Sequence, residues 1–68
     1  MTDKPMTPIE ALRYGLAEER KAFSFYTRSA KEAEHQSTRK MFEFLASQEQ
    51  EHIKLIEDEL DKEFYLDM

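Results

Sequence analysis

The sequence contains no cysteine and no tryptophan, and it has one glycine and two prolines among 68 residues. Without thiols it cannot form disulfides, zinc–thiolate sites or iron–sulfur clusters. A chain this short has a marginal hydrophobic core unless something else stabilises it. The remaining candidates are a metal held by oxygen and nitrogen ligands, or oligomerisation. The scarcity of glycine and proline predicts long helices.

Basic residues are in the minority, with 10 Lys and Arg against 15 Asp and Glu and a net charge of −5. This balance, without a Lys/Arg cluster, argues against a nucleic-acid partner and favours cations. No apolar run is long enough to span a membrane, and the first residues, MTDKPMTP, lack the apolar core of a signal peptide. We therefore expect a soluble cytoplasmic protein with neither nucleic acid nor membrane as partner.

The positions of the helix-start and turn residues predict an all-α fold, in which two helices form an antiparallel hairpin over residues 8–62. Residues 1–7 are predicted to be a disordered tail and residues 63–68 a C-terminal tail. Thr7, Pro8 and Glu10 form a typical helix start, with a capping threonine, a proline at the first helical position and a glutamate that closes a capping box. The least apolar stretch, residues 34–38, predicts the turn, with Ser37 or Thr38 capping the second helix. The predicted helices cover residues 8–34 and 38–62.

The buried face of each helix can be followed in alternating steps of three and four residues. Each series is apolar or aromatic except near its middle, where Glu19 interrupts the first and Glu49 and His52 interrupt the second. Met41 and Leu55 flank the second series. The complete series are Ile9, Leu12, Leu16, Glu19, Phe23, Tyr26, Ala30 and Ala33 in the first helix, and Phe42, Leu45, Glu49, His52 and Ile56 in the second.

These three polar residues are predicted to meet. Glu49 and His52 are three apart and share a helix face, and counting outward from the turn brings Glu19 to nearly the same level at ~1.5 Å rise per residue. Burying unpaired carboxylates costs several kcal/mol, so a metal is the expected partner. Two hairpins would form a four-helix bundle with four glutamates and two histidines, which is the ligand set of carboxylate-bridged di-iron and di-manganese bundles.

Two segments, AEERKAFSFYTRSA (residues 17–30) and FEFLASQEQEHIKLIEDEL (residues 42–60), resemble the rubrerythrin-like branch of the ferritin-like superfamily. The family pattern Glu-x-x-Ala-x-x-x-Tyr corresponds to Glu19, Ala22 and Tyr26, and its Glu-x-x-His corresponds to Glu49 and His52. The resemblance implies two iron ions per dimer, with manganese or zinc as alternatives. Unlike rubrerythrins and ferritins, this chain has two helices instead of four, and it lacks the cysteine-ligated electron-transfer domain of complete rubrerythrins.

The two-helix layout is similar to that of encapsulated ferritins, whose hairpins share a ferroxidase centre across a dimer interface. The resemblance implies a homodimer that oxidises Fe(II) with Glu19, Glu49 and His52 as ligands and catalytic residues. It also implies two further levels of assembly as possibilities. One is a ring of several dimers, and the other is an enclosing protein shell, or nanocompartment. The alternatives are a peroxide reductase with an external electron donor, and a helical interaction module without enzymatic activity.

Neighbouring polar residues have simpler interpretations. Glu18 and Glu51 lie one position from the buried series and are expected to be surface charges, with a role in ion access as the alternative. Tyr26 is expected to be a core residue, with support of a ligand as the alternative. His35 is expected to be exposed in the turn. The competing interpretation of the whole series turns Glu19 and Glu49 to the surface and makes His52 a packing residue.

Overall fold

The computed structural model describes residues 6–66, with side chains over residues 6–62. It contains two α-helices, α1 (Pro8–Glu32) and α2 (Gln36–Leu66). The two helices pack along each other as an antiparallel hairpin that extends 49 × 31 × 12 Å. The molecule is therefore one helix layer thick, and both faces of that layer are open. The all-α hairpin that the sequence predicts is confirmed.

Helix α1 begins where the sequence predicts. The Thr7 backbone N–H donates to Glu10 Oε1 at 2.9 Å, and the Glu10 N–H donates to Thr7 Oγ1 at 3.1 Å. This is a complete capping box, with Pro8 in the first turn. The reciprocal bonds satisfy two backbone donors that would otherwise have no partner inside the helix.

The turn lies two residues earlier than predicted, at residues 33–35 instead of the 35–37 left between the predicted helices. Helix α1 ends at Glu32, two residues early, because Ala33 adopts an extended conformation with ψ 127°. Helix α2 begins at Gln36, and the Arg39 N–H donates to the carbonyl of His35 at 3.0 Å. The prediction that Ser37 or Thr38 caps α2 is wrong, because both lie inside its first turn. His35 lies in the turn and is exposed, as predicted.

The end of α2 lies beyond its predicted limit, since the helix continues through Leu66 instead of ending at residue 62. The first part of the predicted C-terminal tail, residues 63–66, is therefore helical along its backbone. The outer parts of the two predicted tails, residues 1–5 and 67–68, lie outside the described residues. Neither α1 nor α2 has, in the part of the chain that the structure describes, an apolar stretch able to cross a membrane.

The contact between the helices is narrow. Among the described residues only Ala30 and Ala46 are buried, at 7% and 8% exposure, and both have small side chains that allow close approach of the helices. Tyr26 stacks on Phe42 across the hairpin with ring centroids 6.3 Å apart, which agrees with its predicted packing role. Gly15 faces Ile56, whose Cδ1 would lie 3.9 Å from a Cβ at that glycine.

The predicted buried series face the opposite helix. All eight positions of the α1 series are buried or half-buried, and in the α2 series only His52 is classed as exposed. Met41 and Leu55, which flank the α2 series, are 57% and 67% exposed. Ala46 and Ile53, on the other flank of α2, are turned inward instead. The apolar stretch of α2 is thus wider than the strip that α1 covers.

Candidate metal centre

Glu19, Glu49 and His52 come together at mid-length of the hairpin. Each contributes one potential ligand atom, and these atoms all lie within 4.8 Å of one another. His52 Nδ1 lies 3.4 Å from Glu19 Oε2 on the opposite helix and 3.7 Å from Glu49 Oε2 on its own helix. The structure therefore has the predicted proximity, whereas metal binding by these residues stays a prediction.

The surroundings of the three side chains differ. The Glu49 side chain is 17% exposed, and that of His52 is 48% exposed. Glu19 is half-buried between them. The group thus has a sheltered carboxylate side and an open imidazole side, so a ligand or a second protein could approach from the side of His52.

Glu49 carries an unusual polar atom. Its Oε2 is buried and is the one buried side-chain oxygen or nitrogen that lacks a hydrogen-bond partner in residues 6–62. Buried polar atoms are nearly always partnered, because burial without a partner costs about 1–3 kcal/mol or more for a charged group. A cation bound at this oxygen would supply the missing partner.

The donor set fits a first-row transition metal. Carboxylate oxygens and an imidazole nitrogen are common ligands of iron, manganese and zinc. Donors at about 2.1 Å from one ion lie up to about 4.2 Å apart, so small side-chain rotations would close the observed 4.8 Å group around an ion. Three protein ligands leave further coordination positions for water, substrate or additional ligands, which suits catalysis better than a closed structural site.

The neighbouring charged residues lie outside this group. Glu18 and Glu51 are both exposed, which agrees with their interpretation as surface charges. Glu18 accepts from Lys21 Nζ at 3.3 Å. Next to Glu19, however, Arg20 donates to Glu57 Oε2 at 2.8 Å across the hairpin.

The second cross-helix contact, between Arg20 and Glu57, was not predicted from the sequence. A signal for it existed, because each residue directly follows a position of the buried series, and their charges are opposite. The pair lies on the flank of the hairpin opposite to Met41 and Leu55. It joins the two helices one residue from Glu19 and five residues from His52.

The sequence is similar to a known protein family and to one protein of an archaeon. The family model named rubrerythrin matches residues 10–66, which include all three residues of the candidate centre. An uncharacterized protein of Archaeoglobus fulgidus is 42% identical over 55 residues, a stretch that covers 81% of this chain and 86% of that protein. No solved structure matches the sequence. The chain belongs to the rubrerythrin family, within the ferritin-like superfamily, as the motifs around Glu19, Glu49 and His52 indicated.

Proposed function

We propose that this protein is a non-haem di-iron protein that oxidises Fe(II) at a centre shared between two copies of the chain. The unpartnered Glu49 Oε2, buried beside Glu19 and His52, is the observation that carries the proposal. Membership of the rubrerythrin family supports iron as the metal. Manganese and zinc suit the same donors.

One hairpin supplies three ligands, and the open side of the group is the side of His52. A second hairpin facing this side would bring the total to four glutamates and two histidines, which is sufficient for two metal ions. Four carboxylates would balance the charge of two divalent ions. In this arrangement Glu19, Glu49 and His52 of both copies would hold the two ions, with Glu49 shared between them and Glu19 and His52 each serving one ion.

The chemistry that bound iron supplies is transfer of electrons from Fe(II) to dioxygen or peroxide. The residues of this chain hold the ions close together and leave open positions for the oxidant. Glu49 provides a sheltered negative charge, which favours the oxidised, more highly charged metal. His52 lies at the margin of the group, with its side chain 48% exposed. The product would be Fe(III) for storage or transfer, and the protein would thus serve iron handling.

The test is native mass spectrometry with elemental analysis after anaerobic loading with Fe(II). We expect two irons per dimer, lost in Glu49→Ala and retained in Glu43→Ala, which removes an exposed glutamate from the same helix. A metal-free monomer, or a dimer that binds no iron, would contradict the proposal.

Peroxide reduction with an external electron donor is the second candidate, and the family match favours it over unrelated chemistries. Turnover separates the two functions. Sustained oxidation with Fe(II) as the only electron donor supports the ferroxidase function. Peroxide consumption that requires another reductant, with no sustained Fe(II) oxidation, would support the reductase.

The proposal also covers where the dimer is located and whether it forms a larger assembly. A cytoplasmic ferroxidase dimer could assemble further into a ring and be enclosed by a protein shell, as the resemblance to encapsulated ferritins suggests. Size measurement of the iron-loaded protein tests the ring, and co-purification with a shell protein tests the enclosure.

A further inference from the structure

A cleft of about 600 Å³ lies between the two helices, on the turn side of the candidate metal centre. Its lining includes Ala30 and Ala46, which are also the buried residues of the described chain. Small side chains at these two positions, one on each helix, leave space that longer side chains would fill. Small-molecule sites typically enclose about 300–1,000 Å³, so the cleft has room for an organic molecule and is much larger than an inorganic anion.

Two cationic side chains line the cleft from different helices. Lys31 lies in the last turn of α1, and Arg39 lies near the start of α2. Within residues 6–62, neither forms an ion pair with a carboxylate. The half of the chain next to the turn, residues 20–50, has six basic and four acidic residues, although the whole chain has a net charge of −5. The cleft therefore lies where the field of this acidic protein is most favourable to anions.

One carboxylate, that of Glu43, lines the same cleft. Glu43 is four residues after Arg39, a spacing at which opposite charges on a helix commonly pair. Arg39 Nη2 donates instead to the carbonyl of Ala33 at 3.2 Å. This bond holds the guanidinium toward the turn and leaves its other N–H donors open to a ligand. The cleft thus presents two cations and one separate acceptor.

Neutral polar groups complete the lining. The Thr27 hydroxyl and the Gln50 amide form no side-chain hydrogen bond with another described residue. Thr27 is four residues before Lys31 and therefore shares its side of α1. A hydroxyl donor next to an ammonium group suits a carboxylate ligand, whose two oxygens accept several hydrogen bonds.

The cleft stays open in the proposed dimer. Thr27 is seven residues from Arg20, and Gln50 is seven residues from Glu57, so each lies about 20° from that residue around its helix. The cleft therefore opens on the flank of the contact between Arg20 and Glu57. His52 is about 160° from Gln50 around α2 at the same spacing, so a second copy on the side of His52 does not cover the cleft.

We propose that this cleft binds a small organic dicarboxylate that also carries a hydroxyl or amino group. Lys31 and Arg39 each hold one carboxylate, Arg39 through paired N–H donors. Glu43 accepts a hydrogen bond from the hydroxyl or amino group, and the carbon skeleton lies against Ala30 and Ala46. None of the three candidate metal ligands takes part, so this site is independent of the proposed iron chemistry.

NMR titration of the ¹⁵N-labelled, metal-free full chain tests the site, because the probes cannot then bind through a metal. The probes are malate with a hydroxyl group, aspartate with an amino group, succinate with neither, and inorganic phosphate. We expect saturable shifts with malate or aspartate, largest at Thr27, Lys31 and Ser47, which line the cleft. Succinate and phosphate should bind at least about tenfold more weakly, because succinate leaves Glu43 without its hydrogen bond and phosphate cannot reach both cations.

Lys31→Gln and Arg39→Gln should each weaken binding of the preferred probe by at least about tenfold. Lys40→Gln is the matched control, since it removes an exposed cation of α2 that does not line the cleft. Arg39 also contacts the turn through Ala33, so helical circular dichroism is recorded for each variant. If Arg39→Gln unfolds, Lys31→Gln still decides the result.

Several results would overturn the proposal. An absence of saturable shifts with all four probes at about 10 mM would exclude the site. An equal loss of affinity in Lys40→Gln and in the cleft variants would mean attraction to general surface charge. Equal affinity for succinate and malate would remove Glu43 from the site, and equal affinity for phosphate would exclude a dicarboxylate as the ligand. Iron content, measured separately on unlabelled protein, shows whether the metal centre stands in each case.

Discussion

Across the hairpin, His52 Nδ1 of α2 lies 3.4 Å from Glu19 Oε2 of α1. It is one of two side-chain contacts between polar groups of the helices, in the part of the chain with described side chains, and the other joins Arg20 to Glu57. The candidate metal centre therefore depends on the register of the hairpin as well as on its own residues.

His52→Ala should remove metal while leaving the helices intact. The side chain is 48% exposed and contributes little to the core. We expect iron affinity to fall by at least about tenfold, because loss even of a supporting partner costs 10–100-fold, with helical circular dichroism unchanged. His35→Ala, in the turn, is the control. Equal iron affinity in His52→Ala and the parent would remove His52 from the ligand set.

Glu49→Leu separates a metal centre from a plain helical module. Leucine at this largely buried position removes the unpartnered Oε2 and adds apolar packing. The free energy of unfolding of the metal-free variant should therefore be about 1–2 kcal/mol higher than that of the metal-free parent. The same change should abolish iron binding and oxidation. Denaturant titration with and without Fe(II) measures both effects, and a variant that keeps its iron response would support the module.

Gly15→Ala should stabilise the hairpin. Gly15 lies inside α1, where glycine costs about 0.5–1 kcal/mol relative to alanine. The added Cβ would meet Ile56 Cδ1 at 3.9 Å, an ordinary van der Waals contact. We expect the free energy of unfolding to rise by about that amount, as measured by denaturant titration. A decrease would mean that the helices cannot accommodate the methyl group at this crossing.

The start of α1 should show a pH dependence below neutrality. The hydrogen bond from the Thr7 backbone lowers the pKa of Glu10 below its ordinary value, and the Thr7 side chain assists. A lowered folded-state pKa favours the ionised form, so this stabilisation is present above the pKa of the unfolded chain. It is lost as the pH falls through the lowered pKa of the folded chain.

Carboxyl NMR titration should report that lowered pKa at Glu10. In Glu10→Gln the unfolding free energy should lose the part of its pH dependence that belongs to this range. Glu34→Gln, in the turn, controls for the loss of one surface carboxylate. An unshifted Glu10 titration would mean that the capping box does not persist in solution.

Phe44→Lys should weaken self-association by at least about tenfold, since it puts a charge into the centre of an apolar contact. Phe44 is 59% exposed in the single hairpin, so its replacement leaves the internal packing of the hairpin unaffected. Gln50→Lys adds the same charge at an exposed position of α2 that lies about 120° from Phe44 around the helix. Sedimentation analysis measures both dissociation constants, and equal values would exclude Phe44 from the interface between the two copies.

The all-α hairpin, the start of α1 and the proximity of the three residues of the candidate centre follow from local patterns in the sequence. Capping at Thr7 is local chemistry, and helical spacing puts Glu49 and His52 on one face without reference to the rest of the fold. Counting from the turn was enough to bring Glu19 level with them, because helix rise is constant.

Which flank of each helix is covered depends on how the two helices pack. Met41 and Ala46 lie on either side of the same buried series, and helical spacing alone cannot tell which of them faces α1. The way the two helices pack turns Ala46 inward and leaves Met41 and Leu55 outside. The structure likewise decided the turn, because the extended Ala33 ends α1, and it left one oxygen of Glu49 buried without a partner. These features depend on how two helices meet, which is a property of the packed pair and not of either segment.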